Sequence, residues 1–251
     1  MTIEAKVIAH SSHPGCPDLI TIQARYPRFI HSEVMTHRAF SRSASSSRAV
    51  PVSRMIEEIW KDPAMPVEWG GHKTGMQAGP EIENVDGAKN QWFAAAASAV
   101  RHANVLLNLG LHKQIVNRLL EPFSHISVVI TATDWDNFFT LRCHPAADPT
   151  MRTLAEAMRD AIKASTPQPL ELGQWHLPYG DSLIKSAARC ARVSYLRHDG
   201  ASPTHADDAR LADLLRAEKH MSPFEHQAWP TPGERHANLN GWQSQRTILE
   251  A

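Results

Sequence analysis

Cysteine is scarce. Cys16, Cys143 and Cys190 are the only three in 251 residues. The count is odd, the spacing is wide and no CxxC occurs, which excludes a disulfide framework and a cysteine zinc site and fits a reducing compartment. Neither sign of charge is in excess: 26 Lys and Arg face 26 Asp and Glu. A general nucleic-acid or membrane-surface binder would be basic, so neither partner is expected, although a local cationic pocket for one anion remains open. No run approaches the ~18 apolar residues of a membrane span. The N-terminus shows no charged-then-apolar signal pattern, and a cytoplasmic protein is expected. There is no GxGxxG and no GxxxxGK[ST], so a dinucleotide would not be held in the Rossmann manner. No Ser/His/Asp arrangement and no internal repeat stand out.

What is present is ordinary in bulk, with 42% apolar and 21% charged residues, and the length suits one domain spanning 1–251. The 15 histidines and seven tryptophans are the compositional excess. The stretch Thr36–Arg48, THRAFSRSASSSR, concentrates His37, Arg38, Arg42, Arg48 and five serines with no acidic residue. Its polar groups argue against a buried strand, since they would be desolvated without partners. Serine hydroxyls and guanidinium forks suit phosphate oxygens, and a basic flexible linker suits the same composition. Packed elements expected on both flanks favour a binding loop.

Periodicity predicts strands over Lys6–His10 and Leu19–Arg25, joined as a hairpin, and a third over His125–Thr133. Pro27 starts a short helix that delivers His37 and Arg38 into the serine-rich loop. Further helices are expected over Arg54–Lys61 with Ser53 as N-cap, and over Ala88–Leu109 with Phe93, Ala97, Val100, Val105 and Leu107 on one apolar row. Others follow over His112–Leu120, from Asp134 as cap to Arg142, over Arg152–Ser165, from Asp181 or Ser182 to Val193, and over Ala206–Lys219. Pro66–Gly87 reads as loop, Thr166–Pro178 as a connector, Asp199–Thr204 as a turn, and the tail from Thr231 as mostly polar.

Arg38, Arg48, Arg118 and Arg142 each lie at or near the end of an apolar element, where guanidinium groups can converge on an anion or form salt bridges. His220, Ser222, Glu225 and His226 cluster around Pro223. A metal site of His220, Glu225 and His226 lacks the usual i, i+4 spacing, so hydrogen bonding to a polar cofactor or helix capping is favoured. Cys143 beside Arg142 could be a nucleophile with a lowered pKa, or a small buried residue.

These clusters resemble the flavin-dependent thymidylate synthases. The family signature Arg-His-Arg-x-x-Ser-x-Asn-Glu-x-Ser-x-Arg-Tyr is met by His37, Arg38, Ser41, Ser46 and Arg48, and departed from at Thr36, Ser43, Ala44 and Ala49. Pro27-x-Phe29-Ile30, Arg118 before Leu119-Leu120-x-Pro122, and Asn137-Phe138-x-x-Leu141-Arg142 are similar to the family's flanking elements. Two motifs that the family carries before the signature, Ala187-Ala188-Arg189-x-x-Arg192-Val193-Ser194 and His220-x-Ser222-Pro223-Phe224-Glu225-His226, follow it here.

The resemblance implies an α+β fold with a twisted, mainly antiparallel sheet packed against long helices. It implies a circular permutation in which 177–230 stands for the family N-terminus and 1–165 carries the signature, with His226–Pro230 pairing near Ile20. It also implies C5 methylation of dUMP with FAD, NADPH and methylenetetrahydrofolate, in a homotetramer. By resemblance Glu33, Ser46, Arg48, Arg118 and Arg142 hold a pyrimidine deoxynucleotide monophosphate, with Arg142 stabilising charge on the ring. His37, Arg38, Ser41, Ser43, Asn137, His220, Ser222 and Glu225 line the flavin. Glu33 stands where the family often has glutamine, which opens dCMP as a substrate. Hydroxymethylation, or a non-catalytic nucleotide- or flavin-binding relative, are the other readings.

Overall fold

The computed structural model describes residues 2–197 and 200–251; the expected turn from Asp199 begins outside them. Strand β1 (Glu4–Ser12) and β2 (Leu19–Pro27) form the expected hairpin, and β4 (His125–Ala132) pairs antiparallel with β2 from Ile20 to Pro27. With β3 (Ser41–Ala44) at one edge, the five-stranded order is β3-β4-β2-β1-β5, with only the two-residue β5 (Gln168–Pro169) parallel to its neighbour. This is the expected mainly antiparallel sheet of an α+β fold.

Alternation along β2 sorts the two faces. Ile20, Ile22, Ala24 and Tyr26 join Ile126, Val128, Ile130 and Ala132 of β4 beneath α5 (Asp136–Arg142) and α6 (Pro149–Lys163), whose Met151, Leu154, Ala155 and Met158 close the main core. Val129 faces the other way, onto Tyr179 and onto Cys190 and Val193 at the end of α7 (Leu183–Arg192). Helix α8 (His205–Ala217) packs on α7, opened by a Thr204–Asp207 capping box. Asp208 is buried between the two helices, paired to Arg192 and 3.5 Å from Arg189 Nε.

The serine-rich stretch contains a strand, contrary to the expectation from its polarity. After the four-residue α1 (His31–Val34), β3 (Ser41–Ala44) pairs with β4 at the sheet edge, with Ser41 and Ser43 buried. The desolvation argument fails because the partners are supplied: β4 takes the backbone, and Ser43 Oγ lies 2.9 Å from His226 Nε2. That contact ends a buried seam across the sheet. Ser11 Oγ meets His176 Nδ1 at 2.8 Å and His176 Nε2 meets Thr21 Oγ1 at 2.8 Å. Thr21 meets Thr131 at 2.6 Å, and Thr131 meets His226 Nδ1 at 2.8 Å. Burial drives both imidazoles down to about 3, so they are neutral, and each hydroxyl and ring can pass one hydrogen along the row.

Helix α2 (Val52–Lys61) starts from Pro51 without a side-chain cap, so Ser53 is not the N-cap, and α5 likewise starts from Trp135 without help from Asp134. Helix α3 (Val85–Asn108) buries Ala96, Val100 and Ala103 against α2 and leaves Phe93, Val105 and Leu107 exposed. The expected apolar row is therefore split between two faces. The helix expected over His112–Leu120 shrinks to α4 (Lys113–Val116) and a 3-10 turn. The polar tail is also ordered: β6 (Ala228–His236), β7 (Leu239–Ser244) and α9 (Gln245–Leu249) fold as a hairpin and helix. Ala228, Leu239 and the fully buried Trp242 pack on Leu19. The segment after His226 thus lies beside the start of β2 through side chains, but its backbone pairs with β7 and with His176 rather than with β2 as expected.

Candidate active site

The candidate residues fall into three groups arranged around β3. The first lies just before it. Arg142, at the end of α5, donates from Nε to His37 Nε2 at 2.9 Å, and its Nη1 lies 3.3 Å from Glu33 Oε2. Its side chain is only 22% exposed, so the guanidinium is fixed in place while one face stays open. His37 stacks edge-on against Phe138 with centroids 4.8 Å apart. Burial, then Arg142 and Arg42, hold its pKa below the usual histidine range. The ring therefore accepts from Arg142 as a neutral imidazole. Burial, then Asp148, raise the Glu33 carboxyl, with Arg142 opposing. Arg42, noted in the serine-rich stretch but given no role of its own, donates to the carbonyls of Met35 (3.0 Å) and His37 (3.1 Å), and so ties β3 to the turn that presents His37.

The second group follows β3. Buried Asn117 donates to the carbonyls of Ser47 (2.7 Å) and Val50 (3.0 Å), fixing the loop that carries exposed Ser46 and Arg48. Glu121 accepts from Ser47 Oγ at 2.6 Å and from Arg118 Nη1 at 3.0 Å. Arg48 and Arg118 thus share one neighbourhood, at the opposite end of β3 from Arg142. Asn117 was missed because an isolated asparagine carries no signal until its two carbonyl partners are brought to it.

The third group is the 3-10 turn Ser222–Glu225, which contacts β3. Glu225 Oε1 accepts from Arg246 Nη1 at 2.5 Å, and Arg246 Nε also reaches Glu250 at 2.9 Å. A cavity of about 480 Å³ between Ser41, Glu225, Asn238 and Arg246 opens here. Arg246 belongs to the tail that read as merely polar. His220 stays exposed, 3.4 Å from Glu218, and does not join the group. Arg38, Asn137 and Ser222 are exposed. His226 is committed to the buried seam, and no cluster of three metal-type ligands forms among the described residues. The Cys143 thiol is pushed up by burial, not lowered by Arg142, whose contacts are Glu33, Thr36 and His37.

The fold brings arginines, hydroxyls and an amide to the two ends of one edge strand, groups whose chemistry suits a phosphorylated ligand. A family model, thymidylate synthase complementing protein, matches residues 18–168. The chain belongs to that family, the flavin-dependent thymidylate synthases, and is an enzyme of its methyltransferase type. No curated protein matches it by sequence. Among solved structures it is similar to the UMP/dUMP methylase PolB from Streptomyces cacaoi bound with 5-Br dUMP, at 15% identity and TM-score 0.51 over 64% of this chain and 90% of that one. The same methylase with 5-Br UMP aligns at 16% identity and TM-score 0.50, over 64% and 88%. Thymidylate Synthase X from Helicobacter pylori, with FAD and dUMP, aligns at 15% identity and TM-score 0.47, over 64% and 93%. At these identities the likeness to the methylase is one of fold.

Proposed function

We propose that the chain catalyses the reductive C5 methylation of dUMP to dTMP, with methylenetetrahydrofolate as one-carbon donor and NADPH as reductant, as a cytoplasmic homotetramer. The observation that supports it most is Arg142: a shielded guanidinium whose orientation is set by neutral His37 and by Glu33, placed to stabilise negative charge on an activated pyrimidine. Ser46, Arg48 and Arg118 hold the 5′-phosphate through charge-assisted hydrogen bonds. Since the two ends of β3 separate these residues from Arg142, a site built across a subunit contact brings the halves together.

The residues present fit FAD. The cavity beside Ser41 and Glu225 offers hydroxyl and carboxylate groups, with Arg38, Asn137 and Ser222 exposed on the same family motifs and Ser43 and His37 setting the backbone behind them. His220 points elsewhere in the single chain and serves only if assembly covers it. Bound there, FAD supplies the hydride. We also read 1–251 as one domain whose 177–230 segment is permuted: its two motifs pack on β3 and β4, beside the start of β2. A rearranged chain with 177–230 joined ahead of Leu19 is expected to fold and to bind the same ligands.

Glu33 favours a second reading on the same chemistry. Its carboxylate can accept from the exocyclic amine of cytosine, so dCMP is the alternative substrate. A product assay with dUMP and dCMP in parallel, given FAD, NADPH and methylenetetrahydrofolate, separates the readings and reports methyl against hydroxymethyl product. A colourless protein that takes up no flavin and turns over neither nucleotide would leave a non-catalytic binder.

A further inference from the structure

Against the signature loop, where Ser45 and Ser47 rather than Ser46 and Arg48 form the wall, lies a cavity of about 220 Å³ that Arg192, Val193 and Ser194 of one family motif also line. It is bounded by β2, by the loop after β3, by α2, by the start of β4 and by the end of α7. Five guanidinium groups reach its walls, from Arg25, Arg28, Arg54, Arg192 and Arg197, against one carboxylate, Glu58. Most keep carboxylates outside the cavity: Arg25 holds Asp62 at 3.0 Å, Arg192 holds Asp208, and Arg197 lies 3.5 Å from Asp207. These pairs fix the forks at the cavity wall.

Arg28 differs. Its Nε donates to Ser124 Oγ at 3.3 Å, and among the described residues no carboxylate lies within 4 Å of it. The carboxylate with most influence on it, Glu121, is already held by Ser47 and Arg118. Burial depresses its pKa, the sign of a cation short of compensation. A second orphan stands beside it: His125, with a side chain 3% exposed, lines the same cavity, and its buried Nε2 has no protein partner. A buried charge without an ion partner and a buried ring nitrogen without a hydrogen bond are both costly, and a bound anion relieves the first directly. The wall is also held at a strained residue, β-branched Val193 in the left-handed region at φ 56°, which turns the chain from Arg192 towards Ser194 around the cavity.

We propose that this cavity is a second anion site, separate from the nucleotide and flavin positions, that takes a single phosphoryl group. The charge favours a dianion over a carboxylate, the forks match tetrahedral oxygens, and the volume admits a phosphate with little attached. The proposal does not depend on the methylation reading.

The test is calorimetric titration of the full-length protein with inorganic phosphate, repeated with dUMP. Three variants are compared with wild type: Arg28→Met, Arg54→Gln on the exposed face of α2, and the double variant Ser46→Ala/Arg48→Ala in the signature loop. Arg28→Met is expected to weaken phosphate binding about tenfold or more and Arg54→Gln by a few fold, whereas the loop variant, which strips the proposed 5′-phosphate position, is expected to weaken dUMP binding and to keep the phosphate binding that Arg28→Met loses. If Arg28→Met loses its fold, Arg54→Gln carries the comparison alone. Unchanged dUMP binding in the Arg28 and Arg54 variants keeps the cavity separate from the nucleotide position, and parallel weakening of dUMP binding overturns that separation. Wild type that takes up no phosphate at millimolar concentration, or loss of binding that follows the loop variant instead, overturns the site.

Discussion

Arg142 and its two neighbours show how three ordinary side chains make one electrostatic device. Lysine at this position keeps the charge but loses the fork that meets His37 and Glu33 together. Arg142→Lys is expected to lower turnover by about 10²–10³-fold while the melting temperature stays near wild type. Retention of more than a tenth of the wild-type turnover would remove Arg142 from the chemistry. The buried histidines make a second, thermodynamic prediction. In the folded chain His176 and His226 titrate at about 3 and His125 at about 4, against 6.5 in an unfolded chain. Between those limits the unfolded state binds more protons, so stability is full above pH 6.5 and drains away as pH falls towards 3. The slope is up to about 1.4 kcal/mol per pH unit for each ring. Urea midpoints measured at pH 7 and pH 5 should differ in that direction. Equal midpoints would mean that the rings are not held neutral. Residues of this kind were not legible beforehand: Thr21, Thr131, His176 and His226 are separated by up to 205 positions, and only sheet register aligns their hydrogen bonds.

At the scale of elements, the expectations that held rest on local chemistry. The β1–β2 hairpin, β4, α6 and α7 follow from alternation, helical spacing and, for α7, the Ser182 cap, while α6 begins three residues earlier than expected, at Pro149 behind an Asp148 cap. Those that failed were decided by distant partners. Ser41 and Ser43 became strand because β4 had an unpaired edge and His226 a free ring nitrogen. The tail folded because Trp242, with its Nε1 donating to Pro17 at 2.7 Å, found Leu19 to cover. The α7–α8 pair is locked by Asp208, whose carboxylate is enclosed by two guanidiniums. Asp208→Ala strands Arg189 and Arg192 without their partner and is expected to cost roughly 3–5 kcal/mol in a denaturant titration. A loss below about 1 kcal/mol would show the clamp to be replaceable.

For the whole molecule, the proposed reading puts complementary halves of a nucleotide site at the two ends of β3, and helix α3 carries exposed Phe93, Val105 and Leu107 with exposed Leu109 just beyond it. An assembly that covers this face is expected, with light scattering giving four times the chain mass. Leu107→Glu should shift the mass downwards and reduce turnover together. A monomer with full activity would dismiss the shared site. No described helix is long and apolar enough to cross a membrane.

The amino-acid order alone determined which residues are small, basic or hydroxylated near the signature, where most strands and helices lie, and the family those motifs resemble, because such features depend on neighbours a few positions apart. Only the tertiary structure decided that Arg142 rests on His37 and Glu33, that Arg246 grips Glu225, and that an uncompensated Arg28 faces a cavity beside His125. Those outcomes depend on which distant groups are brought within hydrogen-bond reach, and in a chain of this length that is fixed by packing and register rather than by any local pattern.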